Sequence, residues 1–282
     1  LKKIRLSGVP EHFNLPWHMA MEEGAFEDRG IVAEWTDVPE GTGRMCEMLR
    51  EGQTDVAIIL TEGIVKSISE GNPVRIVQEY VSSPLLWGIH VGAGSAYKDI
   101  SDLRNAKAAI SRPGSGSHLM AFLHAQSMGW DTEGLGFETV NNLEGAVKAL
   151  TEGAAAYFMW EHFTTKPLVD QGIFRRLGDF PTPWPCFVIA ARQGFLQEQA
   201  GILRHVLDII NLYTAEFRQI PSIDRTLANR YDLEVTDIRK WLSKTRWSQN
   251  QISVEVIDNV LDSLLHLKLI NNNIPAERFL YP

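Results

Sequence analysis

Ser111, Ser115, Ser117 and His118, interleaved with Gly114 and Gly116, place hydroxyl, imidazole and unshielded backbone N–H groups in one short stretch. The stretch follows an apolar run at residues 108–110 and precedes Leu119, Phe122 and Leu123, which recur at helical spacing. This pattern predicts strand, tight turn, helix. Free N–H groups at a helix start sit at the positive end of its dipole, and glycine lets a ligand approach the backbone closely. Such a corner suits an anionic or strongly polar ligand group. An ordinary strand-to-helix turn with Ser117 as N-cap would use the same residues. The stretch is not a Walker A loop, which needs Gly-Lys-Ser/Thr. Nor is it a dinucleotide fingerprint, because Leu119 stands three residues after Gly116.

Other polar and aromatic residues follow predicted strands in the same way. Glu11, His12, Phe13 and Asn14 bridge the first strand to a helix with Pro16 in its first turn. Gly41, Thr42 and Gly43 form a second glycine loop before a helix, and Thr61 and Glu62 follow the apolar run at 55–60. Trp160 closes a buried-type run that leads straight into Glu161, and Trp184 lies in the extended, proline-rich segment 181–185. Loops at the carboxyl ends of strands are where an open α/β sheet presents ligand contacts. Phe13, Trp160 and Trp184 offer flat apolar faces while Glu11, Glu62 and Glu161 offer acceptors, a pairing suited to a planar, amino-substituted heterocycle. A cationic amine also fits. Sulfonates fit less well, since beyond the helix start only Arg112 and the histidines supply positive charge. Phe13 and Trp17 could instead staple their helix to the core, and each glutamate has a surface or salt-bridged alternative.

Catalytic constellations are missing from the pattern. His12, His18, His118 and His162 show no metal-ligand spacing, and Cys46 and Cys186 lie in dissimilar contexts that give neither a disulfide framework nor a metal motif. There is no Gly-x-Ser-x-Gly elbow and no His-Glu-x-x-His pair. The expectation is a binder with no catalytic residue, no metal ligand and no cofactor. With 27 Lys and Arg against 35 Asp and Glu, the formal charge of −8 argues against a nucleic-acid partner. No stretch approaches the ~20 continuous apolar residues of a membrane span. The first residues already alternate as a strand, so the expected location is the cytoplasm, or the periplasm if a leader has been removed.

Strand and helix patterns alternate along the 282 residues, which is enough chain for two lobes. Strands are expected at 1–6, 30–35, 55–60, 74–80, 87–91, 108–110, 135–140, 156–160 and 186–191, with helices between most of them and a helical region from 195 onward. Thr236 and Ser253 are expected to cap two of the late helices, and the tail at 274–279 to pack on the first lobe. The alternation restarts near residue 91. The expected division is therefore 1–90 plus 189–282 for lobe one and 91–188 for lobe two, with a hinge at two crossings near 89–92 and 184–189 and a ligand cleft between the lobes.

The segment 20–26, with Gly30 and Ile31 after it, resembles the opening of type 2 periplasmic binding proteins of the sulfonate, nitrate and thiamine-pyrimidine branch. Asp102 and Leu103, followed by Ala109, Ile110 and Ser111, resemble the entry to their second lobe. The strings 9–18 and 159–169 are similar to a narrower bacterial and fungal subgroup with a yeast member. The resemblance implies an α/β, two-lobed fold with a helical C-terminal region on lobe one, closing on one polar, planar, nitrogen-containing molecule such as a thiamine-pyrimidine precursor. It places residues 11–14, 41–43, 61 and 62 of lobe one, and Ser111, residues 115–118, Trp160, Glu161 and Trp184 of lobe two, at the cleft. It also implies two alternatives: a sulfonate- or nitrate-type receptor with an ABC permease as partner if exported, or an enzyme like the fungal pyrimidine synthases. Those synthases consume a histidine of their own and an iron ion and carry a cysteine-rich motif, for which two cysteines are no match.

Overall fold

In the first strand, β1 (Lys2–Gly8), Ile4 and Leu6 are buried while Lys2 and Lys3 are exposed, the period of two that seats a strand against a core. The computed structural model describes residues 2–282, and these divide into two compact units, 2–83 with 184–282, and 84–183.

Unit one is a five-stranded sheet in the order β2-β1-β3-β10-β4, with β2 (Ile31–Asp37), β3 (Val56–Leu60), β4 (Val74–Val81) and β10 (Phe187–Arg192). β1 lies parallel to β2 and β3, while β10 runs antiparallel between β3 and β4. Because β3 is flanked on both sides, its Val-Ala-Ile-Ile run is buried throughout, as the continuous apolar stretch predicts. The helices α1 (Leu15–Glu22), α2 (Thr42–Arg50) and α3 (Thr61–Ser69) each follow a parallel strand. The chain from 193 adds α7 (Gln193–Glu216), α8 (Ile223–Tyr231), α9 (Val235–Lys244) and α10 (Val254–His266) to this unit. Its tail packs there as expected: Phe279 is fully buried, and Leu280 bridges to Ile76 of β4.

Unit two repeats the plan in the order β7-β6-β8-β5-β9, with β5 (Leu86–Gly92), β6 (Ala108–Ile110), β7 (Phe137–Thr139), β8 (Tyr157–Glu161) and β9 (Phe174–Pro181). β6, β7 and β8 are parallel, and β5 is the antiparallel strand. The helices α4 (Gly116–Ser127), α5 (Leu143–Glu152) and α6 (Lys166–Asp170) complete it. One of its cores joins Ala109, Val140, Ala146, Leu150, Phe158 and Phe174.

Several local expectations change. β5 belongs to the second sheet, because Trp87 to Val91 pair with β8; the division accordingly falls at 83/84 and 183/184, before the expected 90 and 188. Trp184 therefore lies in unit one rather than with the second lobe. Helix α4 is capped by Ser115, whose hydroxyl accepts from the His118 N–H, not by Ser117. Glu234, with no side-chain capping bond, precedes α9 in place of Thr236, since the helix begins at Val235, two residues earlier than a cap at Thr236 would have it. Ser253 caps α10 as expected, accepting from the Val256 N–H.

Candidate functional site

Strand direction decides which ends of each sheet carry the candidate residues. In unit one the carboxyl ends of β1, β2 and β3 lie at one edge, where Phe187 of β10 pairs with both Leu60 and Val81. Residues 11–14, 41–43, 61 and 62 all follow this edge, and the chain leaves and re-enters the unit there. In unit two Leu86 pairs with Pro181 and Trp87 with Glu161, so the ends of β8 and β9 and the start of β5 share an edge with Ser111 and the start of α4. The topology thus collects the unit-one candidates, Trp184 included, at one edge and the unit-two candidates at another.

At the unit-one edge the first turn of α3 is tightly seated. The Thr61 hydroxyl donates to the Pro185 carbonyl at 2.5 Å, and its N–H donates to the Cys186 carbonyl. A Cβ added at Gly63 would lie 2.1 Å from Thr42 Cγ2, so the glycine lets the start of α2 rest directly on α3. Gly41, with φ of +80°, turns the chain into α2 in a conformation that other residues adopt at a cost. Glu62 is only 3 % exposed. Its Oε2 accepts the indole N–H of Trp184 at 2.9 Å, whereas Oε1 has no hydrogen-bond partner. Burial pushes the Glu62 carboxyl above the usual carboxylate range, against the opposing pull of the Trp184 N–H. The surface and salt-bridged alternatives for this residue fall away.

The turn after β1 is aromatic and largely buried. His12 stacks on Phe13, lies edge-on to Trp241 with ring centres 4.2 Å apart, and faces Tyr231 at 6.0 Å. Its Nε2 is unpartnered, and burial lowers its pKa to about 3. Phe13 also packs on Phe187, and its carbonyl accepts from the Tyr80 hydroxyl at 2.7 Å. The Asn14 amide donates to the Val9 carbonyl, fixing the turn. Glu11 precedes the short 3₁₀ turn His12–Asn14 and is partly exposed. Phe13 and Trp17 thus do serve as staples, Trp17 being fully buried. Sequence reasoning missed Tyr231 and Trp241 because α8 and α9 meet the turn across more than 200 residues of chain, a juxtaposition without a local signal.

In unit two the serines hold one another. Ser117 Oγ accepts from the Ser111 N–H at 2.9 Å and lies 3.1 Å from Ser115 Oγ and 3.5 Å from Ser111 Oγ. His118 closes the same loop: its Nδ1 accepts from the Gly114 N–H at 2.8 Å, and its ring packs on Phe122 and Phe137. Burial lowers the His118 pKa. A Cβ at Gly116 would stand 2.9 Å from the Trp87 ring, whose indole N–H donates to Thr182 Oγ1 at 3.0 Å. Trp87, overlooked because its strand reads as part of the first sheet, is the aromatic wall of this corner. Trp160 lies edge-on to Trp87 and is stacked on Phe158. Glu161, 6 % exposed, accepts at Oε2 from the Thr164 N–H and hydroxyl at 2.7 and 2.8 Å. Its pKa is raised by burial despite these donors.

Behind Glu161, His90 donates from Nδ1 to the Phe158 carbonyl and receives the Thr165 hydroxyl at Nε2, 2.7 Å away. Burial, with Arg176 adding to it, lowers the His90 pKa to about 4. Among the described residues no group of three or more His, Cys, Asp or Glu is placed to hold a metal ion, and no helix is long and apolar enough to cross a membrane.

Residues 87–180 match the protein family described as Ca3427-like PBP. No curated protein matches. The Candida albicans CA3427 gene product, which exhibits the generic periplasmic binding protein fold, superimposes with a TM-score of 0.88 at 24 % identity over 98 % of this chain and 93 % of that one. The alkanesulfonate-binding protein SsuA from Xanthomonas axonopodis pv. citri, bound to MOPS, gives 0.83 at 14 % identity over 100 % and 98 %. The periplasmic nitrate-binding protein NrtA from Synechocystis PCC 6803 gives 0.73 at 14 % over 99 % and 84 %. These matches agree with the resemblance carried by residues 9–18 and 159–169. The chain has the two-lobed α/β fold of the periplasmic binding proteins, and its segment 87–180 carries the sequence signature of the Ca3427-like group.

Proposed function

We propose that this chain is a small-molecule binding protein that takes one polar, planar, nitrogen-containing ligand, an aminopyrimidine of the thiamine-precursor type being favoured. The observation that carries the reading is the buried Glu62 carboxyl, fixed by Trp184 at one oxygen and unpartnered at the other, at the loop-bearing edge of unit one. A buried acceptor or acid without a partner is a cost that a ligand N–H or ring nitrogen removes. If the chain is exported, an ABC permease is its partner.

An oxygen-rich anion is the second reading. It is favoured by the start of α4, where the first-turn amides of Gly116 and Ser117 lie beyond the reach of helical acceptors and the hydroxyls of Ser115 and Ser117 stand beside them. Sulfonate and nitrate binding by the structural neighbours is consistent with that reading.

Thermal-shift and native mass spectrometry screening against pyrimidines, thiamine fragments, alkanesulfonates, nitrate and polyamines tests both. A ligand at a hundred times its Kd stabilises the folded state by about 2.7 kcal/mol, so a true ligand raises the melting temperature measurably. Trp184→Ala should weaken binding of an amino-heterocycle, and Gly116→Val, which would displace Trp87, binding of an oxyanion. A panel that shifts nothing, or a ligand indifferent to both substitutions, refutes the reading.

A further inference from the structure

We propose that Glu62 is the specificity-determining residue and that it takes an amidine-type N–C–N edge, a ring nitrogen beside an exocyclic amino group. This rests on the binding reading above and deepens it. Glu62 stands in the first turn of α3, next to Gly63, whose contact with Thr42 leaves that turn little freedom to move. No cation pairs with it among the described residues; the donors that act on its carboxyl are the neutral indole of Trp184 and, more weakly, its own backbone N–H. An ionised carboxylate buried without a cation is far costlier than the neutral acid, and burial does raise the pKa of this group.

The neutral acid has one O–H and further acceptor capacity. Since Oε2 accepts from Trp184, the proton belongs on Oε1, the atom with no partner. Oε2 keeps a second lone pair. The carboxyl therefore presents a donor beside an acceptor, and its complement is an acceptor beside a donor. A ring nitrogen next to an amino group supplies both at the right spacing. An ammonium group offers donors only, and an oxyanion acceptors only, so each leaves half of the carboxyl unmatched.

Calorimetric titration of the whole chain with 4-aminopyrimidine, pyrimidine (which keeps the ring nitrogens and lacks the amino donor), ethylamine and ethanesulfonate tests this, using wild type, Glu62→Gln and Glu62→Ala. The expected result is that 4-aminopyrimidine binds at least about tenfold more tightly than the other three. Glu62→Gln, whose amide keeps one donor and one acceptor, should stay within about fivefold of wild type, and Glu62→Ala should lose at least about tenfold. Should Glu62→Ala fail to fold, Glu62→Met, which fills the volume without a hydrogen-bonding group, takes its place. Three outcomes overturn the assignment: a Gln variant as impaired as the Ala variant, which would mean an ionised carboxylate holding a cation; an Ala variant with unchanged affinity; or no binding of 4-aminopyrimidine. Binding of ethanesulfonate in its stead overturns Glu62 as the selector while leaving small-molecule binding intact, whereas failure of the broader panel would sink both.

Discussion

Asp55 shows how single residues hold the unit-one sheet in register. Its carboxylate accepts from Arg5 of β1 at 2.7 and 3.0 Å and from Arg192 of β10 at 2.7 and 2.8 Å, so one buried acid ties three strands together. Burial disfavours the charge, but the two guanidiniums outweigh it and hold the pKa below the usual value. Asp55→Asn should cost about 2–4 kcal/mol, less than a fully buried pair because both arginines are partly exposed. The drop should appear as a lower urea midpoint with an unchanged slope. Histidines set the acid limb of stability. The folded pKa values of His12 and His90, about 3 and about 4, lie below the ordinary 6.5, so the folded state binds fewer protons than the unfolded chain. Stability is therefore retained above pH 6.5 and falls as the pH drops toward 4, by about 1.4 kcal/mol per unit for each residue. Glu62 and Glu161, raised by burial, act with the opposite sign: their contribution is complete below pH 4.5 and is lost as the pH rises through their folded values. His90→Asn should cut the slope of unfolding free energy between pH 4.5 and 6 by a clear fraction, and an identical slope would contradict the buried-histidine account.

At the scale of elements, the meeting of α2 and α3 through Gly63 is open to a direct test. Gly63→Ala forces a methyl into Thr42, and overpacking of this kind costs about 1–3 kcal/mol. Thr42→Ser removes the obstructing Cγ2 and should restore most of the loss in the double variant, which denaturant midpoints of the four proteins would reveal. Much of this level was legible in the sequence, because strands buried on both faces and glycine-punctuated helix starts leave local signals. The runs at 55–60 and 156–160, the corner at 111–118 and the cap at Ser253 are each encoded within a few residues. What was not legible depends on partners distant in sequence. Trp87 reads as one more strand residue until β5 is seen to pair with β8 and β9, and Trp184 changes unit because the bonds from this segment to Thr61 and Glu62, distant in sequence, show where it is seated. The aromatic cover of His12 by Tyr231 and Trp241 is lost to local reading for the same reason.

For the whole molecule, chain connectivity makes the two units unequal. Unit two is one continuous segment, 84–183, with its own sheet and core, whereas unit one is assembled from two segments because β10 fills the place between β3 and β4. Residues 84–183 excised alone should therefore fold, since every strand of their sheet lies within the segment. Residues 2–83 alone should not, because β3 and β4 would flank an empty position and leave two rows of backbone N–H and C=O groups unpaired. Replacing 84–183 by a short glycine-serine linker should rescue unit one. The Cys186 N–H donates to the Ser83 carbonyl at 3.3 Å, so the two cut ends are already neighbours and the loop to be closed is short. Cooperative urea unfolding and circular dichroism of the three pieces provide the comparison. Cooperative folding of 2–83 by itself would show that β10 is an addition to the first sheet rather than its central strand, and the edge on which Glu62 and Trp184 meet would then have to form without it.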